Sequence, residues 1–264
     1  MSKDIEKEGS PLRLRTALRQ GDATGVVAAL EACCDASFDT EVLEAMLVEG
    51  ERSLVQFDPQ EARLVADALR GVAVTLIRGC EDAPQEDVGS LEGSIALVTM
   101  AGDRHDVGRY LWHAVLKRHG LTVHDLGRRP PAIAVARGSA LNVDAFGLYL
   151  DNRLARSHVQ TLVSLLQRRR LRTPVLLGGP AVDEAFARWV ATPGGGEPYW
   201  GGVYYCEDAL EAVEVLRQII LFAPPPAAHT HEIDLASTMP TGCATCGGCS
   251  LAESCDELRL PDIH

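Results

Sequence analysis

Residues 1–104 contain neither histidine nor tryptophan. This part of the chain can therefore lend no imidazole to a metal and no indole to the face of a ligand. No apolar run approaches the ~20 residues that a membrane-spanning helix needs. Residues 1–10 (MSKDIEKEGS) also lack the apolar region of a signal peptide, so a cytoplasmic protein without membrane contact is expected. Positive charge is scarce as well: 25 Lys and Arg against 37 Asp and Glu leave a net charge of -12 and a pI near 5.1. Neutralising phosphates takes clustered Lys and Arg, which argues against direct nucleic-acid binding and leaves a protein as the expected partner. In the cytoplasm the eight cysteines read as thiols or metal ligands rather than disulfides.

What is present, 264 residues with 46% hydrophobic and 23% charged, suits a globular chain with a sizeable core. Ser10-Pro11 is a helix-start pair, and Leu12, Leu14, Ala17 and Leu18 follow at helical spacing. Similar patterns recur over 24–34, 40–56 and 59–79, with Asp39 and Asp58 as entry residues. Four helices on short connections predict a bundle over residues 10–80. The adjacent Cys33 and Cys34 read as buried filler. The acidic stretch 80–93, with its Pro and Gly, suits a linker. Beyond it, strands are predicted over 95–101, 121–126, 144–150, 174–178 and 201–204, and helices over 106–119, 131–139, 153–170, 181–191 and 207–221. This alternation predicts an α/β fold, a doubly wound, Rossmann-like or flavodoxin-like parallel sheet of five strands over 92–222.

The first of these strands runs out into a loop carrying Asp103, Arg104, His105, Asp106, Val107 and Gly108. In an open α/β sheet the ligand crevice lies at the carboxyl ends of the strands, so this loop projects into it. The spacing D-x-H-x-x-G has a metal-binding logic. A ligating His must be neutral and held in one tautomer, which a nearby carboxylate achieves by accepting the other ring proton. Gly108 would let the first helical turn come close to a large ligand. A polar loop before a helix also uses Asp and His as caps, so the triplet by itself leaves both readings open.

The segment 93–131, GSIALVTMAGDRHDVGRYLWHAVLKRHGLTVHDLGRRPP, resembles the start of the cobalamin-binding domains of methionine synthase, corrinoid proteins and light-sensing regulators. Later landmarks follow in order: Gly147-Leu148, PVLLGG at 174–179, and Tyr205-Cys206-Glu207-Asp208-Ala209. The resemblance implies His105 as the lower axial ligand of cobalt, in place of the dimethylbenzimidazole tail, with Asp103 holding it. It also implies that Gly178 and Gly179 give the nucleotide tail close backbone approach. Arg104, Asp106, Val107, Gly108, Tyr149, Leu150 and Tyr205 are expected as further cofactor contacts. One departure stands out. Relatives carry Ser-x-Leu by the buried tail, where this chain has Tyr149, Leu150 and Asp151. A Tyr is much larger than a Ser, so the tail slot is reshaped or partly filled.

In this family a helical bundle often covers the upper corrin face. With no His or Trp available, Met46, Leu54, Phe57 or a second tetrapyrrole such as a bilin are expected to meet it. After Pro224-Pro225-Pro226, the tail over 223–264 carries Cys243, Cys246, Cys249 and Cys255 in the pattern C-x2-C-x2-C-x5-C. Four thiolates so close together suit one metal centre, a [4Fe-4S] cluster or zinc, although redox thiols remain an alternative. The functional expectation is a sensor rather than an enzyme. It resembles AerR/PpaA-type antirepressors or photocobilin-type photoreceptors, responding to light or redox state and signalling through bundle repacking to a transcription regulator or effector enzyme. A homodimer is compatible with this reading. The alternative is a corrinoid methyl carrier of a methyltransferase system.

Overall fold

A computed structural model describes residues 3–35, 40–82, 93–101, 103, 106–192 and 197–222. The first part is helical: α1 (Lys3–Gln20), α2 (Ala23–Asp35), α3 (Thr40–Ser53) and α4 (Pro59–Asp82), with a 3-10 turn at Leu54–Gln56. Apolar spacing is the cause. Along α4, Val65, Leu69, Val72, Ala73 and Leu76 recur at steps of three and four, and all are buried. They meet Leu14, Val26, Leu30, Met46 and Leu47 from the other three helices. The start of α4 is fixed by Asp58, whose Oδ1 accepts the backbone N–H groups of Gln60 (2.8 Å) and Glu61 (2.9 Å). α1 begins earlier than the predicted Ser10-Pro11 start, and Pro11 lies inside it. The Lys and Glu residues before the proline are good helix formers and carry the helix back past it.

The second part alternates as the sequence predicts. β1 (Ser94–Met100), α5 (Val107–Arg118), β2 (Thr122–Arg129), α6 (Pro131–Ala140), β3 (Ala145–Tyr149), α7 (Arg156–Arg168), β4 (Val175–Gly178), α8 (Glu184–Val190), β5 (Val203–Tyr205) and α9 (Ala209–Phe222) follow in order. The strands form one sheet in the order β2-β1-β3-β4-β5, every pairing parallel. Because β1 lies between β2 and β3, the winding reverses there, and a crevice is expected at the carboxyl ends of β1 and β3.

Two details differ from expectation. The predicted helix over 153–170 is split. Asn152 accepts the Leu154 N–H through Oδ1 (2.7 Å), which starts a 3-10 turn at Arg153–Ala155 before α7 begins. β2 outlasts its predicted end at 126 because a bulge lets it continue. Leu97 pairs with Asp125 and Val98 with Gly127, which leaves Leu126 as the extra residue and Gly127 at φ +66°.

Side chains on the two faces of the sheet enter different cores. Phe146, Leu148 and Leu177 pack toward α6, α7 and α8. Leu97, Ala145, Tyr149 and Leu176 pack toward α5 and α9. α5 serves two cores at once: Val107, Leu111 and Ala114 join the bundle, whereas Trp112, Val115 and Leu116 join the sheet. The bundle and the sheet layer accordingly belong to one unit, Met1–Ala223. Among the described residues no helix is long and apolar enough to cross a membrane.

Candidate functional site

Past the end of β1 the chain turns back, and the Asp103 N–H donates to the Met100 carbonyl (3.0 Å). The Asp103 side chain is buried, and its Oδ2 accepts the Asp151 N–H (2.9 Å) from the loop that leaves β3. One carboxylate thus ties together the two loops at the point where the winding reverses. A carboxylate accepts several donors, so the same group is suited to orient an imidazole. Gly102, Arg104 and His105 lie outside the described residues.

Asp106, at the start of α5, does not cap the helix backbone with its side chain. It pairs instead with Arg109 (3.4 Å) and with Arg70 of α4 (3.7 Å). Arg109 is itself buried: its Nε donates to Thr99 Oγ1 (3.2 Å) on β1, and its guanidinium pairs with Asp125 on β2. Both Arg70 and Arg109 lie 4.6 Å from the Tyr110 ring centroid. A bundle helix, the start of α5 and two strands are therefore linked beside the loop that contains His105.

Behind the loop, the space left by glycines is filled with aromatic rings. A methyl group on Gly108 would overlap the Tyr149 ring. Tyr149 stands edge-on to Trp112, with ring centroids 6.3 Å apart and planes at 80°. Trp112 is fully buried and lies over Gly178, where a Cβ would overlap its six-membered ring. Gly179 has a different task. At φ +97° its Cβ would strike the Leu150 backbone, so glycine is needed for the turn itself.

Glu51 of α3 reaches this aromatic pair from the bundle and is 7% exposed. Burial first, and the nearby Asp208 second, push its carboxyl up to about 8, while the Ala209 N–H, the Trp112 indole and Arg52 pull the other way. Burial, followed by the charges of Glu51, Asp151 and Asp103, raises the Tyr149 hydroxyl well above the usual phenol range. Arg52 donates through Nε to Asp208 Oδ2 (2.9 Å), and Asp208 Oδ1 accepts the N–H groups of Leu210 (2.8 Å) and Glu211 (2.9 Å) at the start of α9. At neutral pH Glu51 is therefore a neutral polar strut between bundle and sheet.

Of the residues expected from sequence, Asp103, Asp106, Gly108, Tyr149 and Gly178 gather along α5 and the ends of β1, β3 and β4. Leu150 and Tyr205 do not join them, because they pack on the other face of the sheet with the α6–α8 core. Val107 turns into the bundle core, as does Met46, which is 1% exposed, and the half-buried Leu54 and Phe57 pack against that core. Cys243, Cys246, Cys249 and Cys255 lie outside the described residues. Among the described residues no group of three or more His, Cys, Asp or Glu could hold a metal ion. Sequence reasoning missed Glu51, Arg109, Trp112 and Asp208. A usable signal was present in the pairing of large aromatics with glycines: Trp112 follows Gly108 by one helical turn.

The end of β1 thus presents a buried carboxylate, Asp103, of the kind that orients a ligating imidazole. Behind it, Tyr149 and Trp112 fill the space beside Gly108 and Gly178. The fold defines a class, a helical bundle joined through a shared helix to a doubly wound α/β module. No family model matches the chain. It is 26% identical over 201 residues to the dimethylamine corrinoid protein 1 of Methanosarcina acetivorans, covering 74% of this chain and 90% of that protein. Against the dimethylamine corrinoid protein of Methanosarcina barkeri it is 27% identical over 140 residues, 52% of this chain and 61% of that protein. Methionine synthase of Mycobacterium tuberculosis matches 81% of this chain at 26% identity, but the match spans only 18% of that enzyme. The fold is shared with the monomethylamine corrinoid protein of Methanosarcina barkeri, with a TM-score of 0.51 at 19% identity over 76% of this chain and 94% of that one. The chain is thus similar to corrinoid proteins and to part of methionine synthase, and it shares the fold of a corrinoid protein.

Proposed function

We propose that this protein is a corrinoid carrier that holds cobalamin or a related corrinoid at the carboxyl end of β1 and presents it to partner methyltransferase proteins. The observation that carries this reading is Asp103, a buried carboxylate that bridges the loops after β1 and β3 two residues before His105. His105 would be the lower cobalt ligand, and Asp103 would accept the proton on its other ring nitrogen. When bound, the corrinoid supplies a cobalt centre that takes up and gives away a methyl group. The chain's own residues bind and orient: Asp103 fixes the two loops, and Arg109 fixes the start of α5 against β1 and β2. The names of the relatives favour a carrier over a sensor.

A light- or redox-responsive sensor remains as a second reading because Arg70 of the bundle pairs with Asp106, the residue next to His105. A change at the axial ligand would have a short path into α4. The test is to load the full chain with cobalamin, desalt it, and record visible spectra for wild type, His105→Ala and Asp103→Ala. The carrier reading expects a retained, His-ligated spectrum that His105→Ala abolishes, about 10–100-fold weaker retention in Asp103→Ala, and methyl transfer to an added thiol or methyltransferase. Spectra that His105→Ala leaves unchanged overturn the ligand assignment. Hydrogen exchange in 40–82 that differs between dark and lit protein, without methyl transfer, selects the sensor.

A further inference from the structure

The glycines along α5 and the strand ends mark a space that in this chain holds protein instead of ligand. Gly108 on α5 and Gly178 at the end of β4 are both buried, and a Cβ on either would overlap an aromatic ring, Tyr149 in the first case and Trp112 in the second. The Gly147 Cβ position also lies 3.5 Å from Trp112, so the indole spans the sheet from β3 to β4. The two rings pack edge to face, with Tyr149 6% exposed and Trp112 fully buried. The Arg52–Asp208 pair closes the same wall between α3 and α9.

We propose that Trp112 and Tyr149 are specificity-determining residues that keep a corrinoid's nucleotide tail out of the protein core, so that the chain accepts tail-bearing and tail-less corrinoids alike. This rests on the corrinoid reading above. The physical reason is packing. Protein interiors are filled to crystal-like density, so a benzimidazole-sized group enters only if rings of similar size leave. A ligand whose tail stays in solvent asks for none of this.

The test uses the full chain, with aquocobalamin and the tail-less corrinoid diaquocobinamide titrated separately and followed by visible absorption. Cobinamide is expected to bind at least as tightly as cobalamin, since cobalamin must give up its own benzimidazole–cobalt bond and a tail left in solvent gains no protein contact to offset that loss. Cobalamin binding ten or more times tighter than cobinamide overturns this inference and leaves the proposed function standing. Binding of neither corrinoid overturns both. In the Trp112→Val/Tyr149→Ser double variant the slot opens, and cobalamin is expected to gain at least tenfold over cobinamide; an unchanged ratio overturns the inference. Should that variant not fold, the wild-type complex still decides through the phosphorus resonance of bound cobalamin. Broadening of that resonance by a soluble paramagnetic agent supports a tail in solvent, and protection from it refutes one.

Discussion

Replacing Glu51 with Gln keeps the size of the side chain and removes its titration. In the folded protein the Glu51 carboxyl is pushed up to about 8, chiefly by burial, against an ordinary value of 4.5. Below that lower value both folded and unfolded chains carry the proton, and pH has no effect through this group. As pH rises further, the unfolded chain releases its proton while the folded one keeps it, and each unit costs about 1.4 kcal/mol of stability. Above about 8 both forms are ionised, and the loss levels off. From pH 5 to pH 8 wild type should therefore lose as much as ~4 kcal/mol through Glu51 alone. Asp208, Arg52, Tyr149, Trp112 and the Ala209 N–H face this group and are present in both proteins, so their contributions largely cancel in the comparison. Urea unfolding followed by circular dichroism at pH 5, 6, 7 and 8 gives the unfolding free energies of both. Glu51→Gln should gain on wild type steadily with pH, by several kcal/mol over this range. Parallel curves would show that Glu51 is already ionised in the fold and would refute the strut.

Two further perturbations address the loop and the tail. Arg109→Met should destabilise the protein by about 3 kcal/mol, because Asp125 and Asp106 lose the buried cation they share; Arg109→Lys should recover only part, since an ammonium cannot bond Thr99 and Asp125 with the same planar fork. Equal stability of wild type and Arg109→Met in urea would remove Arg109 from the account of how α5 is positioned. For the C-terminal cysteines, anaerobically purified protein should contain iron and sulfide with brown charge-transfer absorption, all lost in Cys246→Ser. Zinc in place of iron would instead make the centre structural.

Legibility followed the distance over which residues act. The β-α alternation could be read because each strand and helix carries its own apolar period, and the place of Asp103 past the end of β1 because the polar stretch that ends the strand is contiguous in sequence. Boundaries failed where a local hydrogen bond intervened, as Asn152 does ahead of α7, or where a bulge prolonged a strand, as at Leu126. The wall behind the site was illegible for another reason. Glu51, Trp112, Tyr149 and Asp208 come from four separated segments, and a glutamate in a helix of mixed polarity gives no sign that its carboxyl will meet a tyrosine almost a hundred positions away. Gly108 and Gly178 were visible, but a glycine announces only that something large comes near. Whether that is a ligand or the chain's own aromatic ring is decided by tertiary packing.

The double allegiance of α5 has a consequence for how this protein can be divided. Composition suggests a boundary between α4 and β1, yet Val107, Leu111 and Ala114 complete the bundle's core from beyond it. Cut out as a portable module, residues 93–222 would carry that apolar stripe naked into water, and the bundle alone would have an open seam where the stripe had been. The two parts are separate in writing and inseparable in solution, so a fusion or truncation drawn at the apparent boundary would inherit half an interior on each side.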